Sequence, residues 1–360
     1  MKKIVLSRQA KQNLTTYALV IVAYIVVQIL IAAGLLSYQL RGLLVPVCTY
    51  VILAVSLNLT VGILGELSLG HAGFMCIGAF VGASFSICMA DMIQLSLLRF
   101  ILALIVGAVS AGIIGFLIGM PVLRLKGDYL AIVTLAFGEI IKNIVNLIYF
   151  GYDSKGFHFS MKDFMSLGLE EDGVVVIKGA QGVTGTPQDA NFTIGVILIL
   201  ITIFIILNLI HSRDGRAIMS IRDNQIAAES VGINVTKYKL MAFTISAALA
   251  GMAGAFYAHN YNNVQASTNN FGYNMSIMIL VFVVLGGIGS IKGSIISAAI
   301  LTLLPEVLRF MSQYRMLVYA IVLIAMMLFN WSPKAQEWKA RQTAKWKEKF
   351  SGRKRTKEER

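Results

Sequence analysis

Three stretches of this chain hold residues whose types and spacing suit chemistry or recognition. Glu139 lies inside the apolar run AIVTLAFGEIIKNIVNLIYF, with Lys142 at i+3 on the same helical face. Ionisable groups in a lipid-embedded helix are costly, and they mark a proton relay, a solute pathway or an ion pair locking one helix to another. Here the pair can neutralise itself, so the residues alone support relay and lock equally. Glu306 with Arg309 repeats the pattern nearer a helix end. The second stretch, NLTVGILGELSLGHAGFMCIGAFVG, runs from Asn58 to Gly82. Gly62, Gly65, Gly70 and Gly73 are mixed there with Glu66, Ser68 and His71, which suits a broken or re-entrant helix better than a packing stripe. Irregular backbone at membrane depth survives where protein buries it or where it lines a cavity, and discontinuous helices point to transport pathways. A tight turn at the membrane edge, with Glu66 and His71 in water, is the alternative. Asn58, Glu66, Ser68 and His71, with Thr134 and Glu139, are the candidate pathway residues.

The third stretch is the polar interval SRDGRAIMSIRDNQIAAESVGINVTKYK, Ser212 to Lys239, caught between two apolar runs. Asp223 suits a helix N-cap. Ile226, Ala227, Ala228 and Val231 follow at helical spacing, and Gly232 is placed to end the helix. A short amphipathic surface helix is expected, flanked by Arg213, Arg216 and Arg222. It would either lie on lipid headgroups or insert into a groove of a partner.

Enzyme signatures are missing. No G-x-x-x-x-G-K-[ST] cradles nucleotide phosphates, so this chain is expected not to hydrolyse ATP. There is no H-E-x-x-H and no G-x-S-x-G, and His71, His158, His211 and His259 are scattered without ligand spacing. Cys48, Cys76 and Cys88 fall in apolar runs without pairing. No catalytic residue, metal or cofactor of the chain's own is expected.

The elements that position these groups are membrane helices. The chain is 57% apolar and 14% charged, far from soluble proportions. Runs of about 20 apolar residues mark ten candidate spans: 14–36, 43–61, 70–90, 99–120, 130–150, 192–210, 239–258, 273–291, 294–311 and 316–331. The first is too long for a signal-peptide core and is read as retained. With the N-terminus inside, twelve Lys or Arg fall on inner segments against six on outer ones, leaving out the basic tail 334–360. The +13 net charge therefore reflects topology rather than nucleic-acid binding. The expected fold is an all-α polytopic bundle of about ten helices (eight to ten), N-in and C-in. Residues 1–333 form the membrane domain, with an external insertion at 151–191 (a small turn or hairpin) and a cytoplasmic loop at 211–238. AALAGMAGA at 247–255 reads as small-residue helix packing, as does the Gly78/Gly82 pair, and GGIGSIKGS at 286–294 as a tight turn.

At this point Ile226-Ala227-Ala228-x-x-x-Gly232 resembles the EAA-x-x-x-G coupling loop of bacterial ABC-transporter permeases, with Ile where many have Glu. More closely, GELSLGHAGFMCIGA (65–79), RLKGDYLAIVTLAFGEII (124–141), the 212–243 segment and LGGIGSIKG (285–293) resemble LivM-type permeases of branched-chain amino acid importers. The resemblance implies a multi-pass subunit of the bacterial cytoplasmic membrane that translocates branched-chain amino acids. It implies a second permease of similar fold, two cytoplasmic ATPases that bind the ATP, and an extracytoplasmic binding protein. It also implies that Asp223, Ile226, Ala227, Ala228, Glu229 and Gly232 meet the ATPase. Urea permeases share much of the pattern, and a stand-alone proton-coupled carrier using Glu139 is the reading from another class.

Overall fold

The computed structural model describes residues 8–125, 127–169, 173–309 and 314–331. Its helices are α1 (Arg8–Ala32), α2 (Tyr38–Gly42), α3 (Leu44–Asn58, continuing as a π-helix over Leu59–Leu64), α4 (His71–Cys88), α5 (Ser96–Val122) and α6 (Asp128–Leu147). There follow α7 (Phe192–His211), α8 (Arg213–Asp223), α9 (Gln225–Ser230), α10 (Val235–Ala258), α11 (Thr268–Phe271), α12 (Tyr273–Gly286), α13 (Ile291–Val307) and α14 (Arg315–Trp331). Among the described residues, eight helical segments are long and apolar enough to cross a membrane. α13 and α14 have 17 residues each, about 25 Å of helix. The chain divides into two compact units, Met1–Thr302 and Leu303–Arg360. In the second, Arg309 Nη1 meets Glu306 Oε1 at 3.0 Å. The basic tail 334–360, with Lys126 and the acids Glu170, Glu171 and Asp172 of the insertion, lies outside the described residues.

The core of the first unit is where α4, α5 and α10 meet. Lipid tails are as apolar as leucine, so spans associate by close van der Waals contact, and small residues permit it. A Cβ on Gly78 would stand 2.0 Å from Gly251 O, one on Gly254 2.0 Å from Met75 O, and one on Gly251 2.4 Å from Gly107 O. Three backbones therefore touch with no side chain between them, as the 247–255 pattern predicts.

Chain order puts a second layer at one end of the bundle, where α6 ends, α7 begins and α10 ends. The insertion is richer than a hairpin. Strands β1 (Tyr149–Asp153), β2 (Gly156–Ser160), β3 (Val174–Lys178), β4 (Val183–Thr184) and β5 (Asn263–Val264) form one antiparallel sheet in the order β2-β1-β3-β4-β5. Tyr149 faces Ser160 on one side and Lys178 on the other. β5 comes from the α10–α11 connection, so the sheet ties two distant loops across the same end of the helices. At the opposite end of α7 and α10 lie α8 and α9.

Candidate functional site

The break between α3 and α4 is made by its glycines. The π-helix ends at Gly65, whose φ of +82° is left-handed backbone that a side chain would strain. No regular structure follows until His71. The Glu66 amide closes back on Thr60 O at 3.1 Å. Helix ends leave carbonyls without intrahelical donors, and here Arg222 Nη1 donates to Gly62 O at 3.1 Å. A cation from α8 thus caps the end of the preceding helix, where the dipole favours positive charge. Gly65 serves this contact too, since a Cβ there would lie 2.6 Å from Arg222 Cγ.

Glu66 pairs with Lys239, in the first turns of α10, and Lys239 Nζ also donates to Gln225 Oε1 at 3.3 Å. Lys239 is 3% exposed. A buried ammonium costs several kcal/mol unless it is paired and hydrogen-bonded, and these two partners meet that need. A polar cavity of about 440 Å³ opens among Glu66, Arg222, Asp223, Gln225 and Lys239. Two turns before Gly65, Asn58 Nδ2 donates to Ser294 Oγ at 3.0 Å, and its Oδ1 accepts from Gly289 N at 2.9 Å. The other side of the break is held by Leu69 N donating to Thr134 Oγ1 at 3.0 Å and by His71 Nε2 at 2.8 Å from Ser56 Oγ. Asn58, Ser68, His71 and Thr134 are all buried.

Beside the break, three successive helices start on side-chain caps. Ser212 Oγ accepts from Gly215 N at 3.0 Å, Asn224 Oδ1 from Ala227 N at 3.1 Å, and Asn234 Oδ1 from Lys237 N at 3.1 Å. Ile221, Ala228 and Val235, one from each helix, form the small apolar core that holds them together. Gly232, at φ +84°, turns the chain from α9 into α10. Ile226 and Val231 point away, 80% and 75% exposed.

Comparison with known proteins gives the family. The family described as branched-chain amino acid transport system, permease component, matches residues 39–329. The chain belongs to this family. It is 36% identical over 302 residues to the high-affinity branched-chain amino acid transport system permease protein LivM of Salmonella typhimurium, and 35% over 294 residues to LivM of Escherichia coli. Each match covers 79% of this chain and 66% of the relative, so the chain spans just under two thirds of the length of those relatives. LivH of Salmonella typhimurium is 25% identical over 264 residues, covering 70% of this chain and 79% of LivH. No solved structure matches the chain. As a member of this permease family with eight span-length helices among the described residues, it is a multi-pass membrane protein.

In this permease the structure corrects two readings of the α8–α9 segment. Asp223 is not the N-cap of α9. It is the last residue of α8, and its carboxylate meets Arg222 Nη2 at 3.0 Å. Asn224, extended at φ −157°, is where the helix breaks, so its side chain makes the cap. Nor do the four apolar residues form one face. α9 has only six residues, burying Ala228 while Ile226 projects. Glu229 accepts from Gln225 Nε2 at 3.0 Å along the exposed side.

Of the pathway candidates, Asn58, Glu66, Ser68, His71 and Thr134 gather around the break, and Glu139 stands apart. It lies five residues beyond Thr134, about 7.5 Å along α6. Lys142 Nζ lies 2.6 Å from Glu139 Oε2 and 3.1 Å from Thr268 Oγ1, and Tyr273 N donates to Glu139 Oε1 at 2.6 Å. The carboxylate sits on the first amide of α12, a favourable place for a negative charge, so the cluster ties α6 to α11 and α12. Arg222, Lys239, Gln225 and Ser294 had no part in the candidate set. Arg222 and Lys239 read as ordinary basic residues of an inner loop, and only their long-range partners distinguish them.

Proposed function

We propose that the chain is the membrane-spanning subunit of an ATP-driven importer in the bacterial cytoplasmic membrane, translocating branched-chain amino acids handed over by an extracytoplasmic binding protein. ATP binds to two cytoplasmic ATPase subunits, one of which receives α9, and a second permease of similar fold completes the pathway. The observation that carries this reading is α9 itself. A six-residue helix, capped at Asn224 and terminated at Gly232, holds Ile226 and Val231 out from the bundle, where aliphatic side chains gain by entering a groove on a partner. Asn58, Glu66, Ser68, His71, Thr134 and Glu139 are the residues proposed along the route or shaping it. Similarity to LivM supports leucine, isoleucine and valine as cargo. A match of 31% over 127 residues to the ribose import permease RbsC of Escherichia coli, 33% of this chain and 39% of that one, makes ribose a useful control.

The test is co-purification with candidate ATPase subunits from mild detergent, comparing the unaltered chain with Gly232→Pro and Ile226→Ser, followed by uptake of labelled leucine, urea and ribose. Recruitment of ATPase that both substitutions weaken, with leucine uptake alone restored, is expected. An ATPase bound equally well by all three chains would refute docking through α9.

A further inference from the structure

The contacts at the break connect it to moving parts as well as holding it in place. Arg222 on α8 holds the Gly62 carbonyl, and its stem lies against Gly65. Gln225, the first residue of α9, shares the Lys239 ammonium with Glu66. Two side chains of the α8–α9 block are therefore linked to the same short segment, 59–70, Arg222 directly and Gln225 through Lys239, and that segment contains a π-turn and an irregular stretch in place of α-helix. π-Turns occur often at functional sites, and irregular backbone can re-form its hydrogen bonds without unwinding a whole helix. From this segment further bonds run on. Asn58, which ends α3 just before it, reaches Gly289 in the turn ahead of α13 and Ser294 in its first turn, and Leu69 N reaches Thr134 on α6. Displacing α8–α9 pulls on the break, and the break pulls on α6 and α13.

We infer that Arg222, Gln225, Glu66 and Lys239 form the relay that converts movement of α8–α9 into rearrangement of residues 59–70, an inference that rests on the docking role proposed above. They are positioning residues and need not touch the transported solute. The chemistry of Lys239 suits the task. An ammonium has three donors, and its two acceptors sit on different elements, Glu66 on the break and Gln225 on α9. It can keep one acceptor while the other moves, so the buried ammonium is never left without a hydrogen-bond acceptor during the motion. Glu66 is the one acid in the 59–70 segment, so neutralising it removes the charged grip of α10 on the break.

The relay predicts uncoupling. The full complex, with its ATPases, second permease and binding protein, is reconstituted in proteoliposomes, and labelled-leucine uptake is measured against ATP hydrolysed. With Glu66→Gln, the ATPases still co-purify at the unaltered level and hydrolysis persists, but uptake per ATP falls about tenfold, within the usual range of site-to-site coupling. The exchange Glu66→Lys with Lys239→Glu recovers part of the ratio, which ties the loss to the pairing of the two residues rather than to either side chain alone. Gln225→Leu, on the outer side of the relay, lowers the ratio in the same direction and serves if Glu66→Gln folds poorly. Hydrolysis and uptake falling in proportion, or an unchanged ratio in both single variants, overturns the relay. A wild-type chain that recruits no ATPase refutes the docking role instead, which the co-purification reads separately.

Discussion

Gly78→Ala tests the central packing of the bundle with a single added carbon. The new Cβ would lie 2.0 Å from Gly251 O and 2.4 Å from Gly251 C, so reaching even a 3.0 Å approach requires α4 and α10 to separate by about 1 Å at their crossing. The obstacle is backbone, which cannot rotate aside as a flexible side chain can. Nor can α10 simply back away, because a Cβ on Gly251 would already meet Ala111 Cβ at 2.3 Å and Gly107 O at 2.4 Å on α5. Overpacking of this kind costs about 1–3 kcal/mol, a roughly 5- to 150-fold loss in the folded-to-unfolded ratio. Thermal melting of the purified protein in detergent should therefore rank three substitutions. Gly78→Ala melts lowest. Gly82→Ala is milder, since its Cβ meets the Ala255 methyl at 2.7 Å. Gly42→Ala, with nothing within 4 Å and ordinary backbone, matches the unaltered protein or exceeds it slightly. If Gly78→Ala melts with Gly42→Ala, the three backbones do not touch as described and the packing argument is wrong.

Three further outcomes follow from single contacts. Asn58→Leu leaves Gly289 N without its side-chain acceptor, while Ser294 Oγ keeps its bond to Ser290 O, so the loss is about 1–3 kcal/mol for the one amide left unpaired and melting should fall below that of the unaltered protein; an unchanged melt would remove Asn58 from the framework of the break. Glu139→Gln keeps an acceptor for Tyr273 N but strands Lys142, so stability should drop while leucine uptake per folded molecule persists, and adding Lys142→Met should restore much of the loss. Loss of uptake without loss of stability would make Glu139 a proton relay. His259, at the end of α10, is fully buried, and burial chiefly lowers its pKa below the ordinary 6.5. Its neutral form folds, while the unfolded chain takes up a proton below about pH 6.5, so stability is intact above that pH and declines below it, by up to about 1.4 kcal/mol per pH unit. Melting scans from pH 7.5 to 5.0 should flatten in His259→Asn, and equal slopes in both proteins would count against a buried neutral imidazole.

What the sequence reveals here follows from the range of the interactions. Apolar length marks spans because the bilayer imposes it, and the α4, α6, α7 and α10 runs are found with ends a few residues off. The interruption after α3 is legible from glycine density, and the end of α9 from Gly232. The cap of α9 is not, because Asp223 and Asn224 are adjacent and equally able to cap. The backbone at the joint decides between them, since Asp223 is still helical and pairs with its neighbour Arg222 while Asn224 takes the extended conformation. Glu66 is visible as an unusual acid, but its partner Lys239 lies 173 residues away and has the ordinary look of a membrane-edge lysine. The sheet is obscure for a related reason. β4 and β5 have two residues each, too few for an alternation to register, and they pair across two separate loops.

The glycines of 62–73 show why pattern alone misassigns roles. Read together they suggest one irregular stretch, yet they do different things. Gly65 supplies left-handed backbone. Gly70 and Gly73 are packing glycines: a Cβ on the first would stand 2.4 Å from Thr134 O, and on the second 2.8 Å from Gly138 Cα. Spacing cannot separate a residue that needs positive φ from one that needs a bare surface, because both are met by removing the same methyl group. The consequence bears on transport. With Gly70 and Gly73 pressed on α6 at Thr134 and Gly138, the start of α4 cannot shift without carrying the helix that presents Glu139 one residue further on. The break and the Glu139–Lys142 cluster are then two ends of one rigid contact, so substitutions at Gly73 should strike α6 directly, whereas Gly65 substitutions should strike the break and Arg222 of α8 packed against it first.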